Sequence, residues 1–428
     1  MCRLAPIRLL ACRRRLCEQF GTDVLSPPLP HTPASALSGR TILQIIPELE
    51  AGGAERTTVD IAEALAAAGA RALVATEGGR LVGELQAKGG IWLPFPAATK
   101  NPVSMLFNVG RLSRIIRAEK VEMIHARSRA PAWVGLAAAR AAGIGFVTTY
   151  HGSYSGKSPP KVLYNSVMAR GDVVIANSHY TAELIRSQHH TQAEKLRVIH
   201  RGTDMNAYSP EAVAPERVER LRRAWLVAPE QRVVLLAARL TGWKGQRVLI
   251  DAAALLRRRG LKDVVFILAG DPQGREAYVR ELDERVASAG LTGIVRRVGH
   301  VTDMPAAFMA AQVVTVPSTE PEAFGRVAVE AQAMGAPVIV SDLGAVPETV
   351  LAPPEVRPEF RTGWRVPPGE ADALAEGIEM ALALRPSARV ALAGRARAHV
   401  EANFSLQRMI ADTLDVYVAV LEQHALNH

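Results

Sequence analysis

From Thr41 onward the chain alternates short apolar runs with longer segments whose apolar residues recur every three or four positions. Few folds satisfy that alternation, because unbroken apolar runs suit buried strands and a 3.6-residue recurrence suits helices. Ile42–Pro47 is the first run, and Gly52-Gly53 punctuates it. Glu55–Ala68 then carries Val59, Ile61, Ala62, Leu65 and Ala66 before Gly69 closes a helix. Further strands are expected at Ala70–Ala75, Val121–His125, Gly145–Tyr150, Asp172–Ala176 and Leu196–His200, with helical segments such as Pro131–Ala142 and Thr181–Ser187 between them. Repetition of this kind predicts a parallel sheet covered by helices on both faces.

A polar, Pro-containing stretch from Ser209 to Glu230 interrupts the pattern, which then restarts. Arg232–Ala238, Val264–Ala269, Ile294–Val298, Val313–Val316 and Pro337–Val340 read as strands, and Gly245–Arg259, Ala277–Ala289, Met304–Ala310 and Arg326–Met334 as helices. The expected architecture is therefore α/β, with two Rossmann-like doubly wound lobes facing a central cleft. One lobe takes residues 41–210 and the other 211–400. A last helix within 401–428, about Leu406–Gln423, presents Met409, Ile410, Leu414, Tyr417, Val418 and Leu421 on one face and is expected to cross back to the first lobe.

Residues 1–40 differ in kind. Arg3, Arg8, Arg13, Arg14 and Arg15 interrupt a short Leu-rich stretch, and a Pro/Ser/Thr segment follows. No uninterrupted core for a signal peptide remains, so the segment reads as a disordered basic tail, as residues ahead of the true start, or as a membrane-surface segment. Cys2, Cys12 and Cys17 all fall in this tail, which suits a reducing, cytoplasmic setting without a disulfide framework. No run of about 18 apolar residues occurs, so any membrane contact would be peripheral. The surplus of 51 Lys+Arg over 42 Asp+Glu favours anionic partners. The basic residues are scattered and no zinc-finger or RNP-type motif is present, so nucleic acid is not expected among them.

A doubly wound sheet binds ligands beyond the carboxyl ends of its strands. Four such places concentrate unusual residues. Gly52-Gly53 opens a helix whose free amides favour an anion, although paired glycines also make plain turns. His151 follows a strand, where it would bond a sugar hydroxyl or phosphate, or serve as a buried structural histidine. The adjoining Gly152–Ser158 run looks like a phosphate loop but is one residue short and meets Pro159-Pro160. Arg239 and Lys244 flank a tight loop at a helix start and together suit a diphosphate, with a solvated pair of charges as the alternative. Glu322 precedes, and Glu330 lies inside, a helix that begins near Gly325, so one carboxylate would reach a sugar and the other a ribose, with helix amides turned to phosphate between them.

The Glu322-to-Glu330 spacing resembles the E-x7-E element of retaining GT-B glycosyltransferases, particularly the large family 4. Gly52-Gly53, His151-Gly152, Arg239-Leu240, Lys244-Gly245 and Ala331–Val338 occur in the order and spacing of that family. The resemblance implies a nucleotide-sugar donor held mainly by the second lobe, a saccharide or lipid-linked acceptor held by the first, and transfer with retention at the anomeric carbon. It implies that Arg239 and Lys244 bind the donor diphosphate, Glu330 the ribose and Glu322 the donor sugar. Phe324, Gly325 and Arg326 would place backbone amides near sugar or phosphate, Gly53 would approach donor phosphate or acceptor, and His151 would contact the transferred sugar. The cationic pair replaces a divalent metal in that family, so neither metal nor cofactor is expected. Ala238, Ala323 and the Arg201-Gly202-Thr203-Asp204 run depart from the common pattern and leave the donor sugar open.

Two features bear on the acceptor. Lys100–Lys120 reads as a basic amphipathic helix, with Val103, Leu106, Phe107, Ile115 and Ile116 against Arg111, Arg114, Arg117 and Lys120. It would meet an anionic membrane surface or simply pack on the sheet. Arg127 and Arg129, with Gly52, would receive a phosphorylated or carboxylated acceptor, or be structural. These features point to a cytoplasmic, peripherally membrane-associated enzyme of cell-envelope or lipopolysaccharide synthesis. A sugar-nucleotide epimerase of the same fold and a non-catalytic nucleotide-sugar-binding protein are the alternatives.

Overall fold

The computed structural model describes residues 34–50, 52–152 and 158–426. The expectations for the first 33 residues, the three cysteines among them, and for the phosphate-loop-like run at 153–157 lie outside the described residues. The chain divides into two compact units. The first holds residues up to Ala176, then Ala182–Ile199 and Asp412 onward, and the second holds Asn177–Thr181 and His200–Ala411.

The first unit is built on seven parallel strands: β1 (Thr41–Ile45), β2 (Arg71–Thr76), β3 (Ile91–Pro94), β4 (Met123–Ala126), β5 (Gly145–Tyr150), β6 (Val173–Ala176) and β7 (Leu196–Val198). Their order is β3-β2-β1-β4-β5-β6-β7. The second unit has six: β8 (Arg232–Ala237), β9 (Val264–Ala269), β10 (Val295–Gly299), β11 (Val313–Val316), β12 (Val338–Ser341) and β13 (Trp364–Val366), ordered β10-β9-β8-β11-β12-β13. Both are doubly wound sheets, and the strand order reverses between β1 and β4 and between β8 and β11. A crevice for ligands opens at the carboxyl ends of such neighbouring strands.

The continuous apolar strands follow from burial on both faces. On β8, Val233 and Leu235 join a cluster with Val314, Val338 and Phe308, whereas Val234 and Leu236 join another with Phe266, Leu249 and Ile378. Alternate side chains thus fill two cores, one per face. The edge strands β3 and β13 were not expected from the sequence. They are only four and three residues long, and β3 is part-exposed, so neither carries a long apolar run. The helix Pro386–Phe404 was also unexpected; it buries only Leu392, Ala396, Val400 and Phe404 on a narrow stripe.

Three boundaries differ from the expectation. Leu37 is fully buried and the Gly39 amide donates to the Gly69 carbonyl at 2.9 Å, so packed structure begins ahead of Thr41. The second unit takes the chain from His200 rather than 211, because Thr203 exchanges backbone hydrogen bonds with Phe404 and Leu406 at 2.8 and 2.9 Å. The last helix, Leu406–Leu426, buries Met409, Tyr417, Val418 and Leu421 of the expected face together with Thr413, Asp415, Val416 and Val420, while Ile410 and Leu414 are only part-buried. From Asp412 onward this helix belongs to the first unit.

The helix Pro102–Glu119 starts where Asn101 accepts from the amides of Val103 and Ser104 at 3.0 and 3.1 Å, with Pro102 in its first turn. Its sheet-facing side is Asn108, Leu112 and Ile116. Val103, Leu106 and Phe107 are 64%, 74% and 75% exposed, on the same side as the exposed Arg111, Arg114 and Arg117. The expected opposition of an apolar and a basic face is therefore replaced by one exposed surface that carries both. Among the described residues no helix is long and apolar enough to cross a membrane.

A polar knot at the end of β4 ties the last helix to the first sheet. His125, fully buried, shares hydrogen bonds with the Tyr417 hydroxyl at Nδ1 (2.5 Å) and with Thr149 Oγ1 at Nε2 (2.7 Å). Arg127 Nε donates to Gln44 Oε1 at 2.8 Å, and its buried guanidinium interacts electrostatically with the Tyr417 hydroxyl. Burial holds His125 well below its ordinary range, and burial pushes the Tyr417 phenol up to about 12 against the pull of Arg127. Replacing Tyr417 with Phe should strand the buried His125 Nδ1 without its partner at a cost of about 1–3 kcal/mol. Urea unfolding followed by first-unit tryptophan fluorescence (Trp92 and Trp133) checks this; an unchanged midpoint would refute it.

Candidate active site

The second unit gathers its charged groups at the switch point between β8 and β11. The loop after β8 carries Arg239 and Lys244, and the loop after β11 carries Glu322 into the helix Arg326–Ala333. The two loops touch because of Gly245. Its φ of +78° is left-handed, and a Cβ there would collide with the Pro317 carbonyl oxygen. Only a residue without a side chain lets the backbones come this close.

Across that contact Lys244 Nζ pairs with Glu322 Oε1 at 2.6 Å, with side chains only 15% and 11% exposed. Lys244 also sits 4.2 Å from the centre of the Trp243 ring, and Ser318 Oγ donates to the same Glu322 oxygen at 2.6 Å. The backbone of Glu322 is fixed as well: its carbonyl accepts from the Ala345 amide at 2.9 Å, and Gly344, at φ +67°, allows the close approach. The Arg239 side chain is exposed, while its carbonyl accepts from the fully buried Gln246 at 3.0 Å.

Gly325, at φ +85°, caps the helix Arg326–Ala333, whose first amides lack intrahelical partners. These amides and the positive end of the helix suit an anion beside Lys244. Phe324 turns its ring away into a small core with Met205, Val329 and Phe404, so any ligand contact from this residue is through its backbone. Glu330 is 6% exposed and accepts from Arg326 at 2.7 Å. Tyr208 lies near it, and burial together with the Glu330 charge pushes the Tyr208 phenol upward. The structure thus joins Lys244 to Glu322 and Arg326 to Glu330.

Residues expected from the first lobe lie at the carboxyl ends of strands in the first unit. Gly52 and Gly53 open the helix Gly53–Ala67, and His151 follows β5, close enough to His125 to lower its basicity. Arg127 is 3% exposed and donates to Gln44 from inside the knot. The expectation that it receives an acceptor is corrected here, since a guanidinium enclosed in the knot has no surface to offer. Arg129, half-buried, donates to Asn165 Oδ1 at 2.8 Å and lies over the Tyr164 ring at 5.6 Å.

Ser178, His200, Tyr208, Ser318 and Glu348 were missed in the sequence. Ser178, His200 and Ser318 each follow a strand by two residues, but none of the five belongs to a repeated spacing, and Ser178, His200 and Glu348 find partners more than 140 residues away.

With this geometry in place, the chain can be compared with known proteins. A model for Glycosyltransferase Family 4 matches residues 51–207, and one for Glycosyl transferases group 1 matches residues 217–399. A glycosyltransferase from Rickettsia africae is similar at 31% identity and a TM-score of 0.81, over 90% of this chain and 99% of that one. Anabaena HepE, solved in complex with UDP and glucose, is 28% identical with a TM-score of 0.75, over 89% and 100%. The D-inositol 3-phosphate glycosyltransferase of Salinispora tropica is 31% identical over 268 residues, 60% of this chain. The matched region spans about half (53%) of that curated relative's length.

Gly245→Ala should separate the two loops and destabilise the second unit by about 1–3 kcal/mol, from both strain and collision. Gly242→Ala, in ordinary backbone geometry with Arg247 Nη1 as its nearest neighbour at 3.4 Å, should be close to neutral. Thermal melting of the two variants checks this; equal effects would argue against the contact.

Proposed function

Since this chain belongs to glycosyltransferase family 4, we propose that it is a retaining transferase that moves a sugar from a nucleotide-sugar donor to a hydroxyl of a saccharide or lipid-linked acceptor. The Lys244–Glu322 pair at the β8/β11 switch point, beside the amides of the Arg326 helix, is the observation that carries this reading. When the bond between the anomeric carbon and the diphosphate breaks, negative charge grows on the leaving phosphate. Lys244, Arg239 and the helix amides would stabilise that charge. Without donor, Glu322 serves as the counter-ion of Lys244. Bound donor would give Lys244 a phosphate instead and free Glu322 for the sugar hydroxyls. Glu330 would take the ribose hydroxyls, with Tyr208 and Arg326 setting its orientation. In the first unit His151 would contact the transferred sugar, and Gly52 and Gly53 would approach donor phosphate or acceptor. The cationic pair would make a divalent metal unnecessary.

The UDP and glucose of HepE support a UDP-hexose as the first donor to try. For the acceptor, the exposed Val103, Leu106 and Phe107 beside three arginines favour a lipid-linked envelope saccharide reached at an anionic membrane surface. The name of the Salinispora relative makes a phosphorylated polyol the competing acceptor, beside the lipopolysaccharide core expected from the resemblance.

Thermal melting with UDP-, GDP- and ADP-sugars, followed by turnover in an acceptor screen, tests the reading. Lys244→Ala should lower kcat by about 100-fold or more. Glu330→Gln should weaken nucleotide binding by roughly 10-fold. Chelator should leave turnover unchanged, and product NMR should show the donor's anomeric configuration. Nucleotide release without acceptor would indicate an epimerase, and tight binding without turnover a binding protein.

For the surface helix, the full chain should float with anionic liposomes at low salt and lose this on Leu106→Ser with Phe107→Ser. Equal flotation of the variant would exclude the helix as the contact.

A further inference from the structure

The segment that bears Glu322 is held from behind by a second cluster within the same unit. Glu348 lies in the short helix Val346–Thr349, just beyond Gly344. Its Oε1 accepts from the Tyr180 amide at 2.7 Å, and its Oε2 accepts from the His179 amide at 2.8 Å and bonds His200 Nε2 at 3.2 Å. Burial alone would raise its pKa, but His200 and the two amides outweigh burial and hold the carboxyl below its ordinary range. Glu348 therefore remains an anion that fixes two separate stretches of chain, the one at Asn177–Thr181 and the one at His200.

Both stretches reach the donor loop. Ser178 Oγ donates to the Ala323 carbonyl at 2.8 Å, and the Thr181 amide donates to Ser178 Oγ at 3.0 Å. The His200 ring stands edge-on to Phe404 at 5.1 Å and lies 6.0 Å from Phe324, which itself meets Phe404 at 5.6 Å. Within Glu322–Gly325, the first residue is held through its carbonyl by Ala345, the second by Ser178, and the third by its ring against His200 and Phe404. Among the described residues the cluster's hydrogen bonds go to the backbone beside Glu322 and not directly to Lys244, Arg239 or Glu330, so it reaches the site through the loop that bears Glu322.

We propose that Glu348, acting through Ser178 and His200, is a positioning residue that sets where the Glu322 carboxylate meets the donor sugar. The inference rests on the donor reading given above. It implies a division of labour: the nucleotide is bound by groups outside the cluster, and the cluster governs whether the sugar of a bound donor is aligned for transfer.

The test uses the full chain with the nucleotide sugar that the wild type turns over, and compares Glu348→Gln, Ser178→Ala and Ser178→Thr. Glu348→Gln should leave the Kd for the free nucleoside diphosphate within about twofold while lowering kcat/KM for the nucleotide sugar by about 10- to 100-fold, as expected of a reacting group displaced by a fraction of an ångström. Ser178→Ala should show the same split more weakly, and Ser178→Thr, which keeps the hydroxyl, should restore turnover. A general structural role would weaken nucleotide and nucleotide-sugar binding together; that result, or unchanged kcat/KM in an active background, would overturn the proposal. The mild Ser178 pair keeps the test decisive if Glu348→Gln does not fold. A wild type that neither binds nor turns over any nucleotide sugar would instead remove the donor reading itself, and this inference with it.

Discussion

Two loops that end neighbouring strands can share charged side chains only if their backbones come into contact, and in the second unit a missing methyl group permits this. With Gly245 against Pro317, Lys244 and Glu322 meet at 2.6 Å in a pocket that excludes most of the solvent around them. Each charge then depends on the other. A lysine left alone at 15% exposure, or a glutamate at 11%, would face the desolvation cost without compensation, so the two residues balance each other's charge. The anchored Glu322 backbone, the helix start at Gly325 and the buried Glu330 all follow from where that contact places the loop.

The two units share a topology yet use their switch points differently. In the first, the carboxyl end of β4 is sealed: His125 within it and Arg127 just after it are buried, His125 tied to Tyr417 and Thr149 and Arg127 to Gln44. In the second, the residues after β8 remain reachable, with Arg239 exposed and the Arg326 helix presenting its amides. The same strand order thus yields a brace in one unit and a candidate binding site in the other, and the difference lies in a few side chains at the strand ends.

How much of this was readable in the chain depended on the range of the interaction. Interior strands such as β8 and β9 were legible because both faces are buried and the apolar run is continuous. The edge strand Trp364–Val366 offered three residues and no such run. Glu322 and Glu330 were legible through their spacing on one loop and helix, and Lys244 through its place beside a glycine. Arg127 was misread because an arginine after a strand looks the same whether it awaits a ligand or supports a tyrosine from the far end of the chain. His200 and Glu348 gave no local sign, since their pairing joins positions separated by 148 residues. The surface helix was assigned correctly in extent, but its faces were set by Leu112 and Ile116, which dock on the sheet and leave Leu106 and Phe107 outside.

The contribution of Asp412 onward to the first unit also orders events on the ribosome. Synthesis runs from the amino end, so the strands β1 to β7 emerge early, but Tyr417 follows every strand of the second unit. Until it arrives, the imidazole of His125 lacks the hydroxyl that satisfies its Nδ1 in the finished protein. The unit that is translated first is therefore completed last, and a nascent chain stalled after Ala411 would carry a finished second unit beside an unsealed first one.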